Sequence, residues 1–308
     1  MRGGNGRYQV PPGNPSNIAG KRNWRIRFNK GNFLQAKDQW GDDYPTEWRT
    51  LNIGRMFGNR IDGNWGLPEQ VNFDIWNQVG VPAPYTHNFQ WRVIDDMEEA
   101  PNDADGQYNG DFWGIARAFE DYDRRFLDAH DLPQGNLYKL VNQTQVGLEQ
   151  QRYQAPDAVR DGSDHNNIEN NLNGFQSEDW INTYVDYDKY YAYHAIAQAV
   201  KHYDYWPSAN KNAAWYFYPN YTAENNFLGE MWTLPFDSDA SWGPSWNSGI
   251  DRPYDAIFAN QGGSAKPEMQ IEYRNAIREV VDLIWQRDQL EPLTRQLAAF
   301  IDPLEEAD

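Results

Sequence analysis

Apolar positions along the chain switch between two periods, and the switches mark its elements. Trp24, Ile26 and Phe28 alternate with Arg25 and Arg27, the period of two expected of a half-buried strand. From Trp65 to Gly80 the spacing changes. Pro68 suits a first helical turn, Val71, Ile75 and Val79 recur every four residues, and Gly80 ends the run. Strand-like stretches follow at 88–94 and 112–120, so this part reads as α+β with an antiparallel sheet. Residues 142–175 are dominated by Asn, Gln, Asp and Gly, with few apolar anchors beyond Val146, Leu148, Ile168, Leu172 and Phe175. That is the composition of a lobe connector or a partly ordered insertion. Ala192, Ala195, Ile196, Ala199, Val200 and Tyr203 then form a buried helical stripe that leads into Asp204. Residues 213–218 and 230–236 read as short strands joined by a loop at 219–226. Such a hairpin carries Asn212 at its start and Asp237 at its exit, bringing distant residues to one end. Helices at 267–286 and 293–301, broken by Pro292, complete the pattern.

Composition narrows the possibilities. A length of 308 residues suits one two-lobed domain, preceded by an extended arm at 1–20 that is rich in Gly, Pro and Asn. Against 27 basic residues stand 45 acidic ones, a formal charge of −18, which argues against nonspecific binding to nucleic acid or anionic membranes. It fits solubility in salt or a basic macromolecular partner. With no cysteine, disulfides, thiolate metal sites and thiol nucleophiles are excluded. No apolar run approaches the length of a membrane span. Fourteen Trp are more than routine, and a binding cleft can use those that a core does not.

The chemistry concentrates at 202–243. An acid after an apolar helix, Asp204, is followed by Lys211-Asn212, and then by Asp237-Ser238-Asp239 behind an apolar strand. Mg²⁺ and Mn²⁺ take hard oxygen ligands and leave positions for water and substrate phosphates. Asp237, Asp239 and the amide oxygen of Asn212 form such a set, with Asp204 as the carboxylate oriented toward an attacking hydroxyl. That combination serves phosphoryl transfer, where catalysis is mostly positioning and charge neutralisation.

Six segments in order carry a family resemblance: 53–82 with its Gly-Val-Pro end, Gly110-Asp111-Phe112-Trp113-Gly114 leading to Glu120, 121–127, Gly135-Asn136-Leu137-Tyr138-Lys139, 185–190 and 204–243. Together they resemble the CotH kinase family of secreted and spore-coat protein kinases, from about Trp24 to Tyr254. The resemblance implies an atypical protein-kinase-like, two-lobed α+β fold. Its N-lobe, 21–141, would be an antiparallel sheet with a helix; its C-lobe, 142–308, would be mainly helical with a β-hairpin carrying metal ligands. It implies ATP with Mg²⁺ or Mn²⁺, and transfer of the γ-phosphoryl group to Ser or Thr of a protein substrate. By position, Asp204 matches the catalytic Asp, Asn212 the Asn after a Lys, and Asp237 with Asp239 the metal-binding acids. Glu120 and Lys211 fall to the nucleotide site, and the phosphate-binding cation is Lys30, Arg49 or Lys139, with Lys30 and Lys139 ranked first. The chain departs from ordinary kinases in lacking a Gly-x-Gly-x-x-Gly loop before a strand, in reading His202-Tyr203-Asp204 without the usual Arg, and in having Asp-Ser-Asp where Asp-Phe-Gly would stand.

Plainer readings stand beside these. Asp204 can cap a helix or open a turn before Pro207, and the paired acids can be surface charges. Glu120 divides between a salt bridge and a nucleotide role, His194 and His202 are eight apart and suit packing or solvation rather than a shared metal, and the tyrosines at 184–193 suit packing. Rival functions are a glycan-binding or glycan-active surface protein, which its Trp content and scattered carboxylates allow, and a pseudokinase scaffold with an acidic face. A basic, Ser-rich protein is the expected partner, with no nucleic acid. The expected location is extracellular or at a bacterial cell surface, the signal segment being absent from this chain.

Overall fold

The structure, a computed structural model, describes residues 24–38, 40–54, 67–94, 97, 111–141, 150–172, 175–202, 211–242 and 266–305. Among them two four-stranded antiparallel sheets organise the chain, consistent with the expected α+β class. The first has the order β1-β2-β4-β3, from strands β1 (Trp24–Arg27), β2 (Thr50–Gly54), β3 (Thr86–Val93) and β4 (Asp111–Phe119). Strand β1 differs from expectation. It is the edge of this sheet and all four of its residues are exposed, because no layer covers either of its faces among the described residues.

Helix α1 (Leu67–Gln78) connects β2 to β3 and buries Val71, Phe73, Ile75 and Trp76. Pro68 stands at its second position, where a missing N–H removes no helical bond. Gly80, at φ +74°, ends the run as its pattern predicts, and the Val81 N–H returns to the Trp76 carbonyl at 2.9 Å.

The second sheet has the order β6-β5-β7-β8, from β5 (Asn136–Val141), β6 (Gln150–Tyr153), β7 (Lys211–Tyr218) and β8 (Glu230–Pro235). Strand β5 therefore belongs to this sheet although it lies inside the 21–141 segment. Helix α2 (Arg124–Ala129), capped by Asp123 Oδ1 on the Arg125 N–H, links the sheets. The polar 142–175 segment contributes β6 and helix α3 (Ser163–Asn171). Buried Asp164 at the start of α3 accepts the Asn136 amide at 2.7 Å and the Tyr138 hydroxyl at 2.8 Å, which fastens α3 to β5. Phe175, expected as an anchor, is exposed.

Helices α4 (Glu178–Tyr184) and α5 (Tyr187–Ala199) pack on β8; of the expected stripe Ala195, Ile196 and Val200 are buried and Ala192 and Ala199 half-buried, while Tyr203 lies outside the described residues. Tyr184, Tyr190, Tyr191 and Tyr193 are core with Tyr187 packed at its edge, His194 is buried against Tyr190 and Tyr193, and His202 is buried against Trp76. Helix α6 (Pro267–Leu283) packs on α5, and α7 (Arg287–Glu305) packs on α1 and β4. Pro292 does not break the pair. The break is at 284–286, where the N–H groups of Ile284 and Trp285 both return to the Val280 carbonyl at 2.9 Å. Pro292 sits inside α7, whose core-facing Leu290, Leu293 and Leu297 outweigh one lost helical bond.

Candidate active site

The β7–β8 pair brings the predicted acids and amide to one end. Its register sets Ala213 against Pro235, so Asn212 and Asp237 lie just beyond the last pair. On the other side of β7, Leu140 pairs with Ala213 and Val141 with Lys211, leaving Asn212 as the extra residue of a bulge. Asn212 has φ +56° and Asp237 has φ +54°, left-handed values that Asn and Asp tolerate better than other side chains. Between the acids Ser238 is fully buried, whereas Asp237 and Asp239 are exposed. The buried serine anchors the loop and its neighbours face outward.

Helix α1 meets this loop from the first sheet. Glu69 Oε1 accepts the Ser238 N–H at 3.1 Å, and Oε2 pairs with the Arg117 guanidinium of β4. Both side chains are buried. Burial pushes the Glu69 carboxyl above its ordinary value; Arg117 opposes that, Asp237 adds to it, and the Ser238 N–H and Lys139 hold it down. Charges from both sheets thus act on Glu69. Asn72, one turn along α1, donates to the Ser238 carbonyl at 3.0 Å and to Ser241 Oγ at 2.8 Å, and accepts the Trp242 indole N–H at 2.7 Å.

Lys139, on β5, holds its ammonium 3.4 Å from the centre of the Phe236 ring, beside Asp237. The Tyr122 hydroxyl donates to the Pro235 carbonyl. Burial and the charges of Glu120 and Glu69 push that hydroxyl well above its ordinary value. Glu120, at the exit of β4, is buried. Its Oε2 accepts the Tyr85 N–H at 3.2 Å and lies 3.2 Å from His130 Nε2, while Tyr85 and His130 stack at 4.5 Å. Among the described residues its Oε1 is buried with no hydrogen-bond partner.

The predicted residues therefore divide. Asn212, Asp237 and Asp239 share the hairpin end with Lys139 beside them, and Glu120 stands where the first sheet hands over to α2. Lys211 opens β7. Lys30 is exposed in the turn closed by Asn32 N–H to the Asn29 carbonyl, and Arg49 offers its carbonyl to the Phe28 N–H. Asp204 lies outside the described residues. Among the described residues no three acidic or histidine side chains form a ready-made metal cluster. Sequence reasoning missed Glu69, Asn72 and Arg117. The available signal was that Glu69 and Asn72, three apart and so neighbours on one face of α1, are interleaved with the apolar Val71, Phe73, Ile75 and Trp76.

The family described as CotH kinase protein matches residues 11–308. No curated protein matches the chain in sequence. Among solved structures, the Helicobacter pylori proinflammatory kinase CtkA is similar at 12% identity, over 83% of this chain and 87% of that one, with a TM-score of 0.32. With the match running over nearly its whole length, the chain belongs to the CotH kinase family.

Proposed function

We propose that this chain is a protein kinase that uses ATP and Mg²⁺ or Mn²⁺ to phosphorylate Ser or Thr hydroxyls of a protein substrate. The observation that carries the reading is the double contact of Glu69, which joins a cation of the first sheet, Arg117, to the acidic loop of the second through Ser238. A buried carboxylate is costly, and in this reading its two contacts would hold two lobes in register around a charged ligand.

Asp237, Asp239 and the amide oxygen of Asn212 would hold the divalent cation. Their hard oxygens fit it, and a cation of this kind keeps other positions for water and phosphate. When bound it supplies charge neutralisation on the phosphates. Lys139, the better placed of the candidate lysines, would meet phosphate oxygens from beside Phe236. Glu120 Oε1, without a partner among the described residues, is an acceptor that an N–H donor of the nucleotide would satisfy. Asp204 takes the proton of the attacking hydroxyl, the role that the family resemblance implies.

The test is incorporation of label from γ-labelled ATP, with Mn²⁺, into a basic Ser-rich polypeptide. Incorporation by the native chain and its loss in Asp204→Ala, with nucleotide binding retained, is expected. Undiminished incorporation in that variant removes Asp204 from the mechanism. Nucleotide binding without any incorporation by the native chain makes the protein a scaffold instead.

A further inference from the structure

Trp242 follows the acidic loop three residues after Asp239. It is 38% exposed, and its backbone holds φ +65°, a left-handed conformation unfavourable for a bulky residue. Three contacts hold it there. Its indole N–H donates to Asn72 Oδ1 on α1 at 2.7 Å. Its backbone N–H donates to the Val200 carbonyl at 2.7 Å, at the end of α5 just before His202. Its ring stacks on Trp285, centres 5.2 Å apart and planes 9° apart, in the turn between α6 and α7. Through Ser241 it continues directly into Asp237-Ser238-Asp239.

Asn72 makes the arrangement directional. An indole N–H can only donate, so Asn72 must turn its oxygen to Trp242 and its NH₂ to the Ser238 carbonyl and to Ser241 Oγ. Ser241 Oγ donates to the same Ser238 carbonyl at 2.9 Å. Asn72 is fully buried, so each of these bonds is made in the absence of competing water. Shifting the indole displaces the amide, and the amide holds the peptide between the two acids.

We propose that Trp242, clamped between Asn72 and Trp285, is the positioning residue of the acidic loop, and that the α6–α7 turn is thereby a working part of the site rather than a remote appendage. This rests on the reading of Asp237 and Asp239 as cation ligands. Groups that orient ligands from outside the ligand set are worth about 10- to 100-fold in metal affinity when removed.

The test uses the full chain and Trp242→Phe, which keeps a ring over Trp285 and deletes the indole N–H. Free Mn²⁺ in the presence of ATP is counted by electron paramagnetic resonance, alongside melting temperature and label transfer. The expected result is Mn²⁺ affinity lower by about tenfold with the melting temperature little changed. Asn72→Ala should give the same loss, and the double variant no more than either alone. Trp285→Ala should lower affinity in the same direction with both hydrogen-bonding residues intact. Native Mn²⁺ affinity in Trp242→Phe overturns the proposal and leaves the kinase reading standing. Native Mn²⁺ binding by the unaltered chain without label transfer overturns the kinase reading, and the affinity comparison still decides the role of Trp242. No Mn²⁺ binding by the unaltered chain with ATP overturns both.

Discussion

Glu69 Oε1 accepts the backbone N–H of Ser238 at 3.1 Å, across a sequence separation of 169 residues. The contact joins a helix of the first sheet to the peptide between the two exposed acids. Because Glu69 also pairs with buried Arg117, the loop's position depends on an ion pair that water does not reach.

Removing one member of that pair leaves the other charged and buried. Glu69→Ala should cost about 3–5 kcal/mol of stability and abolish transfer. Replacing both partners by apolar residues, in Glu69→Leu/Arg117→Met, should restore most of the stability while transfer stays lost. Denaturant unfolding and a transfer assay on the two proteins separate these effects. Recovery of transfer in the double variant would remove Glu69 from loop positioning.

The exposed acids should behave in the opposite way. Asp237→Asn and Asp239→Asn lie on the surface, so each should change stability by no more than about 0.5 kcal/mol. For Asp237 the change also relieves its repulsion of Glu69. Transfer should fall by about a hundredfold or more in each, since charge neutralisation at the phosphates is lost. Thermal melts beside initial rates give the comparison, and full activity in either variant contradicts its role.

Backbone strain at the bulge gives a third expectation. Asn212 holds φ +56°, which Ala resists and Gly accepts. Asn212→Ala should be less stable than Asn212→Gly by about 1 kcal/mol, although both lose the same amide. Equal unfolding midpoints for the two variants would contradict the left-handed conformation.

His87, packed with Tyr44, Trp48 and Phe89, has its pKa lowered to about 4 by burial, with Asp38 opposing the shift. In the unfolded chain the imidazole takes its proton near pH 6.5. Between those values the unfolded state binds more protons, so stability falls as pH drops from about 6.5 to about 4. His87→Gln should flatten that acid limb by about 2 kcal/mol, measured as unfolding free energy at pH 7 and pH 4.5. An unchanged limb would show that His87 is not the group responsible.

Asp74 on α1 has the reverse sign. Burial raises its carboxyl to about 7, above the unfolded value near 4. Its folded form keeps the proton longer, so stability declines as pH rises through that interval. Asp74→Asn should stabilise the protein by about 1 kcal/mol at pH 8 and hardly at all at pH 4, after allowance for solvent at this half-buried position. Equal effects at both pH values would assign the gain to packing instead.

Much of the fold was legible because it depends on near neighbours in sequence. The four-residue recurrence of Val71 and Ile75, closed by Gly80, announces α1. Apolar runs on either side of a turn-rich loop announce β7 and β8, and with them the meeting of Asn212 and Asp237. Strand β1 shows the limit of that reasoning: its alternation is real, yet no layer among the described residues covers its faces. Pro292 shows another, since a helix can absorb one missing N–H where leucines on its core face hold it.

The sequence by itself determined the elements, the acidic character and the residue types able to serve a cation and phosphates, since spacing and composition are local properties of the chain. Tertiary structure alone decided which sheet owns β5, which charge meets Glu69 and what holds the acidic loop. Arg117 lies 48 residues from Glu69, and Trp242 lies 170 from Asn72. No periodicity spans such distances; only the packing of α1 on β3, α5 and α7 brings those partners within hydrogen-bond reach.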